Sequence, residues 1–138
     1  MSGVDDLVAF LRARLDEDSA AAKKAAPEGE AWELDNVPED SARIEIASPH
    51  EWEVVVYDEG RPSRGQAEHI LRWQPARVLR EVEAKRRIVD EYNEVRRMDR
   101  PEPEPEYAVG RAVGLGEAVR LLALPYSDHP DYREEWRP

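Results

Sequence analysis

Val4, Leu7, Val8, Leu11 and Leu15 recur three and four positions apart. That spacing places them on one stripe of a helix and predicts the first helix over residues 3–24. Ser2 stands at its start with Asp5 three residues on, in the capping-box arrangement. Pro27 and Gly29 stop it. The period then changes. Trp32–Leu34 reads as a short strand, Arg43-Ile44-Glu45-Ile46 alternates polar and apolar, and Trp52–Tyr57 (WEVVVY) is rich in the β-branched and aromatic residues that suit a pleated surface. Turn residues at Pro38-Glu39-Asp40, Ser48-Pro49-His50 and Asp58-Glu59-Gly60 separate them. Three short strands in succession predict an antiparallel meander.

Helical periods return after Pro62. Ser63 with Gln66 forms a second capping box and opens a helix over about 64–73. Pro75 suits the first position of the next, because its missing N–H has no partner to lose there. This long helix is predicted to reach about Asp99. Val78, Val82, Val89 and Tyr92 form its apolar stripe, with Leu79, Ile88 and Val95 at the edges. Lys85 and Arg96 fall on the same line, where their stems pack while their charged ends reach water. The repeat PEPEPE at Pro101–Glu106 reads as an extended acidic linker. Gly110, Gly114 and Gly116 read as a turn, since no Lys-Ser/Thr follows them as a phosphate loop requires. Residues 115–124 predict another amphipathic helix stopped by Pro125, and a last helical turn is expected from Pro130, capped by Asp128 or His129. The whole predicts one α+β domain over 1–138. A three-stranded antiparallel sheet packs with an N-terminal, a long central and a C-terminal helix.

Charge changes the picture at the central helix. The net charge is -11. Residues 1–60 carry 5 basic and 16 acidic side chains, whereas residues 61–100 carry 11 basic and 7 acidic. An acidic chain disfavours approach to phosphate backbones. The basic middle leaves a local exception, an arginine edge of Arg77, Arg80 and Arg87. The acids nearby predict a simpler use. Glu81–Lys85, Glu83–Arg87, Arg86–Asp90 and Arg87–Glu91 are all four apart, and each such pair adds about 0.2–0.5 kcal/mol to a helix.

Little else carries chemistry. There is no cysteine, so neither a disulfide nor a thiolate site can form. His50, His69 and His129 match no metal-ligand spacing. With no catalytic constellation and neither metal nor cofactor implied, an enzyme is the third reading. No apolar run approaches the ~20 residues of a membrane span, and the N-terminus lacks the pattern of a signal peptide. A cytoplasmic protein is expected. Aromatic residues offer more. Trp73, Tyr132 and Trp136, with His129 and the arginines, have the composition of protein-binding hot spots. Alternatively, Tyr132 and Trp136, four apart, form one face that docks the tail on the core.

Three stretches together, LVAFLRARLDEDSAAA, HILRWQPARVLREVEAKRRIV and ALPYSDHPDYREEWRP, resemble a family of small uncharacterised proteins of actinobacteria and their phages. Pro75–Arg87 and Asp128-His129-Pro130-x-Tyr132-Arg133-Glu134-Glu135-Trp136 carry the resemblance. Relatives often have His-Asp where this chain has Trp73-Gln74. The histidine pair they would form with the His69 position is therefore absent here. The resemblance implies relatives and no activity. The leading expectation is a non-catalytic interaction protein that binds a partner protein or itself. A nucleic-acid-linked regulator using the arginine edge is the alternative.

Overall fold

The computed structural model describes residues 3–34, 46–48, 53–56, 62–97 and 105–138. It has an α+β fold with helices α1 (Gly3–Ala25), α2 (Arg64–Arg72), α3 (Pro75–Arg97) and α4 (Pro105–Ala123). The sheet joins β1 (Glu33–Leu34), β2 (Ile46–Ser48) and β3 (Glu53–Val56) in the order β1-β2-β3. Both pairings are antiparallel, as the meander predicts, and the β2–β3 register shifts between Ile46 and Ala47. Ser2, the 38–40 and 58–60 turns, residues 43–45, Pro49-His50 and Pro101–Glu104 lie outside the described residues.

The chain forms two compact units, Met1–Glu17 with Val82–Pro138 and Asp18–Glu81. In the first, α1 buries Leu7, Val8, Phe10, Leu11 and Leu15. From α3 it buries Val82, Val89, Tyr92 and Val95, and from α4 it buries Val119 and Ala123. Apart from Phe10 and the two α4 residues, these belong to the stripes that the sequence periods mark. Arg96, on the α3 stripe, is held by protein partners where its charged end is expected to reach water. Its guanidinium bonds Asp5 at 2.5 Å and Asn93 at 2.7 Å, and its side chain is only 16% exposed.

Some charged residues of α3 are used differently from the expectation. Glu83–Arg87 forms within the helix at 3.5 Å. Arg86, however, bonds Asp16 of α1 at 2.7 Å, Asp90 receives Arg12 of α1 at 2.8 Å, and Glu91 pairs with Arg111 of α4. Helix spacing marks charges that can reach one another on a single helix, but a neighbouring helix offers competing partners.

In the second unit, Ile46 and Ala67 are fully buried, with Trp32, Leu34, Val55, Val56, Ile70 and Leu71 packed against them. The capping box at Ser63–Gln66 is present and starts α2. Gly29, with φ of 70°, adopts the left-handed conformation that glycine accepts without strain, and its N–H bonds Ala26 O where α1 ends. Gln74 separates α2 from α3. Its carbonyl accepts from the N–H groups of Arg77 and Val78, opening α3. Its side chain accepts from Trp32 N–H at 2.7 Å and donates to Trp32 O at 3.2 Å and Leu71 O at 3.0 Å. One amide thus ties the approach to β1, the end of α2 and the start of α3. Gln74→Leu is expected to cost about 1–3 kcal/mol, the usual loss when half-buried polar groups are left unpaired. Gln74→Glu, which keeps the acceptor but sets a carboxylate oxygen against the two carbonyls that the amide nitrogen bonds, should cost at least as much. Urea denaturation checks this, and unchanged midpoints for both variants would mean that water replaces the amide without loss.

Three assignments near the C-terminus are corrected. Pro105 and Glu106 belong to the first turn of α4, not to a linker, and Gly110, Gly114 and Gly116 lie inside that helix, not in a turn. Pro105 is tolerated at the first helical position, where its missing N–H costs nothing. Gly116 passes close to α3, where a Cβ would sit 3.3 Å from Tyr92 Oη. The tail has no helix starting at Pro130. After a 3₁₀ turn at Leu124–Tyr126 it makes hydrogen-bonded turns up to Tyr132 and a second 3₁₀ turn at Glu134–Trp136, preceded by Arg133 with no side-chain cap. His129 Nδ1 instead lies 3.1 Å from Asp131 N–H, which stabilises the turn locally.

Candidate functional site

Trp73 is the C-cap residue of α2 and is 45% exposed. Its backbone N–H bonds His69 O, which fixes it at the helix end. Arg77, one turn into α3, lays its guanidinium over the indole, 4.1 Å from the ring centroid. The same guanidinium donates to Glu81 Oε1 at 3.0 Å and Arg72 O at 3.3 Å. These bonds hold it over the ring, so Trp73 is presented in a fixed orientation. The His69 ring stands 6.4 Å from the indole, tilted by 45°. His69 also lines an open groove of about 660 Å³ between α2 and β3, with Val56, Pro62, Gln66 and Ile70 among its walls. An apolar trough beside a braced aromatic–guanidinium pair can accept apolar side chains of another polypeptide at its floor and a carboxylate or carbonyl at its rim.

The structure brings together some of the residues that the sequence singles out and separates others. Trp73 and Arg77 touch. Arg80 is exposed and has no ion pair among the described residues. Arg87 is exposed and paired with Glu83. Glutamate partners at Arg77 and Arg87 reduce what an arginine edge can offer a phosphate backbone.

In the other unit, His129, Tyr132 and Trp136 gather around Phe10 of α1. Phe10 lies 5.6 Å from His129, 5.9 Å from Tyr132 and 5.1 Å from Trp136, and Tyr132 meets Trp136 edge-on at 5.7 Å. Trp136 is 4% exposed and donates from Nε1 to Gly3 O at 3.2 Å. It is therefore a core residue, and the exposed aromatic contact expected of it is replaced by the docking role. Arg14 lies against the His129 ring, its Nη1 2.9 Å from Nδ1 and 2.6 Å from Nε2, and also bonds Glu17 at 2.8 Å. Arg133 pairs with Asp6 at 3.0 Å. Arg137 donates two hydrogen bonds to Glu134, which hold that carboxyl below its usual range. The tail is thus fastened to α1 by aromatic packing and the Arg133–Asp6 pair, and to itself by the Arg137–Glu134 pair.

Sequence reasoning missed Gln74. A polar residue between two helices gives no periodic signal, and its position between a helix end and a helix-opening proline is its only mark. Among the described residues, no group of three or more His, Asp or Glu is placed to hold a metal ion. No described helix is long and apolar enough to cross a membrane. Comparison with curated proteins and with solved structures gives no match. Residues 4–138 match the model of a family of unknown function, DUF6221, and the chain belongs to that family.

Proposed function

We propose that this protein is a non-catalytic interaction protein that engages another polypeptide, a partner protein or a further copy of itself. The observation that carries the reading is the exposed Trp73 braced by Arg77 beside an apolar groove. Tryptophan and arginine dominate the energetics of protein interfaces, because they supply large contact area with a polar handle. Bracing also removes part of the ordering cost that a mobile side chain incurs on binding. The likeness of both terminal segments and α3 to proteins of actinobacteria and their phages supports a bacterial or phage protein as the partner, in the cytoplasm.

The test is affinity capture from an actinobacterial lysate with the tagged full-length chain, at low and at moderate salt. The expected result is a discrete protein retained at moderate salt by the native chain and lost with Trp73→Ala. That substitution leaves the fold intact because the side chain stands at the surface. Retention of nucleic acid alone, collapsing at moderate salt and abolished by Arg80→Glu, would replace this reading with a regulator that binds phosphate backbones. Equal retention of protein by the native chain and Trp73→Ala would sink the assignment of Trp73.

A further inference from the structure

Charge divides the unit Asp18–Glu81 in two. Residues 18–63 carry 12 acidic and 4 basic side chains, a net of -8, whereas residues 64–81 carry 4 arginines and 2 glutamates, a net of +2. The positive part is α2 with the start of α3. Glu81 is spent there on Arg77. Arg72 and Arg80 are exposed and have no ion pair among the described residues. Gly65, His69 and Arg72 follow one another along α2 at spacings of four and three, so Arg72 stands on the flank whose Gly65 and His69 line the groove. Arg80 follows Arg77 by three on α3 and extends the Trp73–Arg77 pair along that helix. Apolar walls, an exposed indole and two unpaired arginines thus follow one another in a continuous series.

We infer that this surface takes an acidic segment of a partner protein, with an apolar side chain in the groove and carboxylates on Arg72 and Arg80. This inference rests on the interaction reading and names the chemistry of its partner. A guanidinium offers paired N–H groups that match a carboxylate. The walls at Val56, Pro62 and Ile70 and the indole ask for apolar contact, which a phosphate backbone does not supply. The nine residues of α2 span about 14 Å, room along its flank for about four residues of an extended chain. A segment of that length holds about two carboxylates beside its apolar residues, one for each unpaired arginine. A duplex carries a charge every ~1.7 Å over its whole length, so it meets the net -8 of the remaining residues as well as the patch. The same acidic surroundings repel a short acidic segment from everywhere but the patch, which fixes where it lands.

Fluorescence anisotropy of the full-length chain tests this with a labelled library of short peptides in which Leu, Phe or Val alternates with Asp and Glu. A library with Asn and Gln in place of the acids and a single-stranded oligonucleotide are the controls. The acidic library should bind at low salt at least about tenfold more tightly than the amide library. Trp73→Ala should weaken binding by about thirtyfold, and Arg72→Glu and Arg80→Glu by about fivefold each. Arg87→Glu makes the same change of net charge outside this unit and should leave binding unchanged. Gly65→Phe should cost at least about tenfold by filling the groove. A Cβ there meets nothing closer than Ser63 Oγ at 4.0 Å, so the variant should fold, with circular dichroism as the control. Equal binding of the two libraries overturns the inference, as does a loss at Arg87→Glu equal to that at Arg72→Glu. Tighter binding of the oligonucleotide, or no binding of the acidic library at low salt, overturns it too. A lysate protein captured through Trp73 that the acidic library fails to displace removes the acidic chemistry and leaves the interaction reading standing. Acidic peptides bound undiminished by Trp73→Ala would remove Trp73 from both.

Discussion

Replacing Trp136 with alanine is expected to destabilise the protein by about 3–5 kcal/mol, the range for truncating a large buried aromatic. That is a large share of the 5–15 kcal/mol by which ordinary domains are stable. The side chain is 4% exposed and packs on Phe10 and Tyr132. Its indole also donates to Gly3 O, so the last turn of the chain is tied to the first turn of α1. Alanine removes the ring contacts and this bond together. Trp136→Phe separates the two contributions. It keeps an aromatic ring in place and loses the donor, so most of the stability should return, with a residual loss near the ~1 kcal/mol of a hydrogen bond. Chemical denaturation of the three proteins measures both steps. If Trp136→Ala shifts the midpoint no more than a surface substitution does, the tail is an appendage and the packing on Phe10 contributes little.

The tail also shows what the sequence can and cannot reveal. The spacing of Tyr132 and Trp136 marks a shared face, yet the backbone between Pro130 and Trp136 is not helical. The aromatic residues meet through turns and a 3₁₀ segment that periodicity cannot describe. Helix α1, the boundaries of α2 and α3, and the three-stranded sheet were legible because caps, prolines and apolar periods agree there. At α4 local and tertiary preferences disagree. Three glycines argue against a helix by propensity. Ala108, Ala112, Val119 and Ala123 nevertheless keep a helical period of small apolar residues, and Gly116 lets α4 approach Tyr92. Counting small residues as part of the inward face would have extended the helix to Pro105. The Trp73–Arg77 pair was half legible. Both residues stood out by type, but the stacking depends on the junction at Gln74, which bonds the end of α2 and the first turn of α3 and which no period encodes.

Leu11→Ala is expected to cost about 2–5 kcal/mol, whereas removing the Arg12–Asp90 ion pair beside it should cost about 0.2–1 kcal/mol. The contrast decides what holds the basic helix α3 to α1. Leu11 has no exposed surface and lies within the stripe of Leu7, Val8 and Leu15 that faces the core. Deleting it leaves a cavity that close-packed neighbours cannot collapse to fill. Arg12 and Asp90 meet at 2.8 Å, but their side chains are 45% and 68% exposed, so water and salt already screen them. A double-mutant cycle on Arg12→Ala and Asp90→Ala isolates the pair, since the coupling is what remains after both single losses are subtracted. Coupling below the Leu11→Ala loss, shrinking further in high salt, is the expected outcome. The ion pairs from α3 to Arg12, Asp16 and Asp5 then act mainly on specificity: they select which residues of α1 face it, while apolar burial supplies the stability. Coupling as large as the cavity loss would reverse that order and make α3 a helix held by its charges. Its arginines would then be committed to the fold, and Arg80 alone of the three-residue edge would be left for a ligand.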